Sequence, residues 1–395
     1  MDQPKGFLAP GQESKVWRLR KALYGLKQAG RQWHTHLHAT MAELGFSKNI
    51  SSDVSIFIKL HEGETQLIVL VYVDDIAIFG TLQHIKDFKA EIATHYTVTD
   101  LGEVKQFLGL HIVRDRLKKT ISITQSHYIE RMLMRFDMAK CKPVYTPLAA
   151  GTTLIANDNP DANSMLTSHY QQIVGSLMYA MLGSRPDICF VVNRLLQFGS
   201  KPTEAHLHAT QHVLQYLSAT CDYQLTYGCN DATELVGYCH SDWAADPDTW
   251  CSTTGYTFIL SGGSIAWATQ KQCTVALSST EAEYMALTEC VKHAEWNISL
   301  LEQLNFDIDL PLEIYSDSLG ARAIAKTNVY HKSTKHIDIR HHYVREVIER
   351  NIVNIEEVGT KNNVADLLTK SMPRDRHHLL TMKLGLIDAS TVGEC

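Results

Sequence analysis

Two groups of carboxylates are placed where they could hold divalent metal ions. Asp74 and Asp75 stand side by side between the apolar runs Leu67-Ile68-Val69-Leu70-Val71-Tyr72-Val73 and Ile76-Ala77-Ile78-Phe79. Two acids embedded in strand-like sequence cost free energy that packing does not recover. The pair is therefore either a set of cation ligands at a hairpin tip or a solvated acidic turn. The second group is Asp242, Glu283, Asp317 and Asp366. Two Mg²⁺ ions carry four positive charges, which about four carboxylates and a scissile phosphate would balance, and hard cations prefer such oxygen ligands. Each acid alone is an ordinary surface residue. Four of them, two at strand ends and two in helices of successive elements, point to metal-assisted chemistry on a phosphate.

The elements that must position the second group can be read from periodicity. Alternation in Leu235-Val236-Gly237-Tyr238-Cys239 leads into Asp242, and Tyr256 to Leu260 and Ile265 to Ala268 read as two more strands joined at Ser261-Gly262-Gly263. A long helix from about Ser278 to Leu304 carries Glu281 and Glu283, and a fourth strand ends at Asp317. A basic helical stretch to Arg350, a fifth strand from Val353 to Val358 and a closing helix from Asn362 to Lys370, with Asp366, complete the order. Both glutamates stand in the first turns of the long helix. Glu281 reads as a first-turn residue favoured by the helix dipole.

Composition narrows the class. With 395 residues and 45% apolar content, the chain can form two or three domains. The longest apolar run, Leu67 to Val73, is far short of the roughly 20 residues of a membrane span. No signal-peptide core is present at the N-terminus, so an intracellular location and no membrane partner are expected. Nine cysteines without a C-x-x-C pair argue against a disulfide framework or a zinc knuckle. The net charge of −6 averages over unlike faces. Residues 1–33 hold seven Lys/Arg against two acids, with aromatics interleaved, and residues 326–350 hold six Lys/Arg and four His against three acids. Such stretches suit phosphate contact and base stacking, or else solvated helix faces.

Specific segments resemble copia-type retrotransposon polyproteins. Tyr72-Val73-Asp74-Asp75 resembles the palm signature of reverse transcriptases, and Leu23-Tyr24-Gly25-Leu26-Lys27-Gln28-Ala29-Gly30-Arg31-Gln32-Trp33 resembles the family's "LYGLKQAPRQW", with Gly30 in place of proline. Asp100-Leu101-Gly102 with Phe107-Leu108-Gly109 is similar to "DLGxxxxFLG", and Ser184-Arg185-Pro186-Asp187-Ile188 lies in a stretch similar to the family's connection segment. Ser278-Ser279-Thr280-Glu281-Ala282-Glu283-Tyr284 resembles the ribonuclease H motif of this branch, and Thr334-Lys335-His336-Ile337-Asp338-Ile339-Arg340 resembles "TKHIDIR". Cys251 stands where the family's "RSTTGY" has arginine.

The resemblance implies an α/β and α+β chain: a truncated reverse-transcriptase palm and thumb over 1–147, a linker and helical connection over 148–230, a ribonuclease H-like five-stranded mixed sheet with helices over 231–375, and a C-terminal tail over 376–395. It implies metal ligation by Asp242, Glu283, Asp317 and Asp366 and by Asp74 and Asp75, with Mg²⁺ or Mn²⁺ as cofactor. Lys27, Gln28, Arg31, Trp33, Lys335, His336 and Arg340 would contact nucleic acid, either an RNA–DNA hybrid or a template–primer. Met1-Asp2-Gln3-Pro4 matches a segment that follows the first catalytic aspartate in the family, so an upstream polyprotein segment is expected to supply that aspartate. The implied function is hybrid hydrolysis by the ribonuclease H part beside an incomplete RNA-directed DNA polymerase. The alternative is a non-catalytic remnant that binds nucleic acid.

Overall fold

The computed structural model describes residues 1–4, 6–7, 10–12, 14–46, 50–156, 164–228, 234–326 and 338–389. The chain forms two compact units, one of residues 1–102 with 303–305 and one of 103–302 with 306–395.

In the first unit, strands β1 (Ile56–His61), β2 (Glu64–Tyr72) and β3 (Asp75–Gly80) form an antiparallel sheet in that order. Alternate residues of β2, Leu67, Val69 and Val71, are buried, as the period of a strand requires. They pack with Phe57 against Leu37 and Met41 of helix α1 (Ala29–Glu43) and Phe88 and Ile92 of α2 (Leu82–Ile92). Thr81 caps α2, its hydroxyl accepting from the His84 amide at 3.4 Å.

Among the described residues, the second unit holds two five-stranded sheets. One is mixed and runs β10-β9-β8-β11-β12, with β8 at Val236–Ser241, β9 at Thr253–Leu260, β10 at Gly263–Lys271, β11 at Leu312–Ser316 and β12 at Val353–Glu357. Strands β8 to β10 form an antiparallel meander, and β11 runs parallel to both β8 and β12. Helix α7 (Ser279–Gln303) buries Tyr284, Leu287, Val291 and Ala294 in one core with Phe258 and Ile314 of the sheet. Helices α8 (Leu319–Lys326) and α9 (Asp338–Glu349) add Ala321, Val344 and Val347 to it. The five-stranded mixed sheet and its order agree with the sequence reading.

The other sheet is antiparallel and runs β13-β7-β6-β5-β4, from strands β4 (Gln106–Phe107), β5 (Leu110–Asp115), β6 (Thr120–Thr124), β7 (Tyr223–Tyr227) and β13 (Leu386–Asp388). This pairing divides the chain differently from the sequence reading. The part read as palm and thumb, 1–147, supplies β4 to β6, the connection supplies β7, and the C-terminal stretch supplies helix α10 (Arg374–Lys383) and β13. Strand partners distant in sequence leave no local signature, which is why boundaries drawn at 147, 230 and 375 cut through one sheet.

Helices α3 (Ser126–Arg135), α4 (Ser164–Gly183), α5 (Cys189–Leu196) and α6 (Glu204–Ala219) share a core built on Ile129, Tyr170, Leu177, Val192 and Leu217. Trp267 of β10 joins it, its indole N–H donating to the Met181 carbonyl at 3.1 Å. Below α5, the fully buried Arg185 donates to both carboxylate oxygens of Asp187 (2.9 and 2.7 Å) and to the carbonyl and hydroxyl of Thr220 (3.0 and 2.6 Å). Tyr216 donates to Asp187 at 2.6 Å. The Ser184–Ile188 motif is therefore a satisfied buried ion pair, in which loss of one partner would cost about 3–5 kcal/mol.

Candidate active site

Three of the four expected ligands converge at the end of the mixed sheet, around a residue that the sequence reading did not single out. His240, the penultimate residue of β8, is buried. Its Nδ1 lies 2.9 Å from Glu283 Oε1 and 3.3 Å from Asp317 Oδ1, and its Nε2 lies 3.1 Å from Asp366 Oδ1. Burial alone would lower the pKa of this imidazole, but the three acids outweigh it and push the pKa up to about 11. Burial also works to raise the pKa of Asp317 and Asp366, yet the histidine and their other partners hold both carboxyls below the ordinary range.

Each acid is set by its element. Ser278 precedes α7 and accepts from the Glu281 amide through its hydroxyl at 3.2 Å. One turn in, Glu283 reaches the end of β8, where its Oε2 accepts from the Ser241 amide at 3.1 Å. Glu281 instead accepts from the Leu277 amide at 2.8 Å, so it closes the start of the helix. Asp317 follows β11 directly. Asp366 sits in a short 3₁₀ turn, Val364–Leu368, rather than in the expected helix. Asn363 starts that turn, accepting from the Ala365 amide at 3.1 Å while its side-chain amide donates to the Cys239 carbonyl (3.0 Å) and to Asp317 (3.1 Å). Gly255 of β9 lets the turn approach, because a Cβ there would fall 2.8 Å from Leu368 Cβ and Thr369 Cγ2.

Asp242 is a correction. Its Oδ1 accepts from the Thr253 amide at 2.5 Å, and it stands outside the metal-competent group of His240, Glu283 and Asp317, the one such group among the described residues. β8 ends at Ser241, so Asp242 lies just past the strand, and burial pushes its pKa up to about 6 against the pull of the Thr253 amide and of nearby His240 and Lys370. The missed residue had a signal. Residues i and i+2 of a strand share a face, so His240 occupies the face expected for Asp242, one step further inside the sheet.

The donor set does not fit a pair of Mg²⁺ ions. A hard octahedral cation asks for six oxygens, whereas here an imidazole takes the centre of the cluster. Asp366 is also engaged by Lys370 and Arg376.

The remaining expected residues lie elsewhere. Asp74 and Asp75 are exposed at the β2–β3 turn, with Val73 at φ +54° and Asp75 opposite Tyr72. No third metal-ligating side chain joins them among the described residues. Lys27, Gln28 and Arg31 are exposed. Trp33 supports the aspartate turn from behind, its indole N–H donating to the Val73 carbonyl at 3.1 Å and its ring meeting Tyr96 edge-on at 5.6 Å. Arg340 is half-buried in the first turn of α9, and Lys335 and His336 lie outside the described residues. Cys251 is buried beside β9. No helix among the described residues is long and apolar enough to cross a membrane.

A family model described as reverse transcriptase (RNA-dependent DNA polymerase) matches residues 1–150. The chain is 38% identical over 391 residues to the retrovirus-related Pol polyprotein from transposon TNT 1-94 of Nicotiana tabacum, a match covering 98% of this chain and 29% of that protein. It is 32% identical over 291 residues to a transposon Ty5-1 protein of Saccharomyces cerevisiae, covering 73% of this chain and 93% of that one. The solved structure of LC11-RNase H1, isolated from compost, is similar at 15% identity and a TM-score of 0.27, covering 35% of this chain and 93% of that chain. The chain spans less than a third of the length of the plant Pol polyproteins that it matches. With the motifs at Asp74-Asp75 and Ser278–Tyr284 set on these elements and these identities, the chain belongs to the Pol polyproteins of copia-type retrotransposons.

Proposed function

We propose that this chain is a retroelement-derived reverse transcriptase/ribonuclease H-like protein that binds RNA–DNA hybrid or template–primer and does not hydrolyse RNA with Mg²⁺. The observation that carries this reading is the His240 imidazole, within 3.3 Å of Glu283, Asp317 and Asp366. A protonated imidazole neutralises charge that two metal ions would otherwise neutralise, and it brings no oxygen ligand. Nucleic-acid affinity has separate support in the exposed cations Lys15, Arg18, Arg20, Lys21, Lys27 and Arg31, with Trp17 and Tyr24 exposed among them. Cations and aromatics so arranged favour salt-dependent phosphate contact and stacking. Polymerisation is not proposed for this polypeptide, because Asp74 and Asp75 are two carboxylates where a pair of bridged ions needs more.

The test is a hybrid-cleavage assay in Mg²⁺ beside a binding titration at two salt concentrations. The expected result is binding that weakens with salt, no cleavage above the protein-free control, and no primer extension. His240→Asp should gain cleavage, leaving 3′-hydroxyl and 5′-phosphate ends, since it completes a four-carboxylate cluster with Glu283, Asp317 and Asp366. Cleavage by the unmodified chain that is lost in Glu283→Gln and Asp317→Asn would overturn the reading in favour of an active ribonuclease H.

A further inference from the structure

The same cluster has the geometry of a different kind of metal centre. His240, Glu283 and Asp317 each offer a ligand atom mutually within 4.8 Å of the others, close enough to share one cation, and His240 Nδ1 lies 2.9 Å from Glu283 Oε1 and 3.3 Å from Asp317 Oδ1. The other ring nitrogen, Nε2, faces the fully buried carboxylate of Asp366 at 3.1 Å. A carboxylate behind a histidine fixes the ring and its tautomer, leaving the opposite nitrogen free to ligate, and this is the usual support for a metal-bound imidazole. Asp366 is itself held by Lys370 and Arg376, which keep it behind the ring and out of the ligand set. Asn363, bridging Asp317 and the Cys239 carbonyl, holds the third ligand in place.

We infer that His240, Glu283 and Asp317 form a site for a single late first-row divalent cation, of the Zn²⁺ or Co²⁺ class, with Asp366 as the positioning residue. The selectivity follows from the donors. One imidazole and two carboxylates suit Zn²⁺ and its neighbours, whereas Mg²⁺ dehydrates reluctantly and gains little from a nitrogen ligand. This inference rests on the cluster that carries the proposed function, but it does not depend on whether hybrid is cleaved.

The probe is Co²⁺ on the full chain under reducing conditions, followed by bound-metal stoichiometry and visible absorption. Thiolate sites elsewhere show charge-transfer bands that an N/O site lacks, so the two are distinguishable. The wild-type chain should bind one more Co²⁺ than His240→Ala, the extra ion should show only ligand-field bands, and millimolar Mg²⁺ should not displace it. Glu283→Gln should also lose it. Asp366→Asn, which keeps the side-chain volume, should retain the site with affinity weakened about 10- to 100-fold. Thermal unfolding of each variant separates loss of the site from loss of the fold. Equal stoichiometry and spectra in the wild type and in folded His240→Ala, or displacement by Mg²⁺, would overturn the inference. If Co²⁺ fails to bind and Mg²⁺ also fails to support cleavage, the metal site falls while the non-hydrolytic reading stands.

Discussion

At the scale of single residues, the two glutamates of α7 show how position in a helix separates a capping acid from a site acid. Glu281 accepts from the Leu277 amide, and Glu283 contacts His240 and the Ser241 amide. In the cleavage-competent His240→Asp background, Glu283→Gln should abolish hybrid cleavage. Glu281→Gln should leave most of it, because the glutamine side-chain oxygen can still accept from the Leu277 amide. Equal losses of cleavage at both positions would refute this division of roles, for which the sequence offered only that Glu283 is followed by Tyr284-Met285-Ala286, as the family's ligand is followed by a bulky residue and alanine. His240 was harder to see. Its place two residues before Asp242 puts both on one face of the strand, and only the end of β8 at Ser241 decides which of the two side chains enters the cluster.

At the scale of elements, the turn Val364–Leu368 is the joint that brings the last carboxylate to the sheet. Asn363 is its hub, buried and bonded to the turn, to β8 and to Asp317. Asn363→Ala should destabilise the protein by about 1–3 kcal/mol, because the Cys239 carbonyl would be left buried without its donor. Chemical denaturation of the two proteins measures this, and an unchanged midpoint would show that the contact is dispensable. The sequence supplied a helix from Asn362 to Lys370 on periodicity, but the residues form a shorter, tighter turn. Its length is set by packing on Gly255, a long-range contact that no window of local sequence reports. The strands of the mixed sheet and α7 were legible for the opposite reason, since alternation and a helical repeat are local properties.

At the scale of the whole molecule, buried titratable groups tie stability to pH. His377 of α10 is buried edge-on against Tyr216 at 5.4 Å, and burial is the main cause of a pKa lowered to about 4. An unfolded histidine titrates near 6.5, so between pH 4 and 6.5 the unfolded chain binds more protons than the folded one. Its contribution is complete above pH 6.5 and is lost as pH falls toward 4, by on the order of 3 kcal/mol in all. His377→Phe should flatten this part of the stability–pH curve, as thermal unfolding across that range would show. An unchanged slope would place the acid sensitivity elsewhere. The domain boundaries were the least legible property at this scale, because β6, β7 and β13 become neighbours only through pairing that spans much of the chain.

That pairing has a consequence for how the protein is made. Strand β7 leaves the ribosome with β6 already available to it, but its other edge, Tyr223 to Leu225, waits for Leu386 to Asp388, which are synthesised much later. Contacts so far apart in sequence slow folding, and an unpaired edge is open to association with other chains in the interval. A premature stop codon in the final stretch would therefore do more than trim an end. It would remove the partner of β7 and the buried Leu380, Leu384 and Leu386, exposing every nascent copy to aggregation.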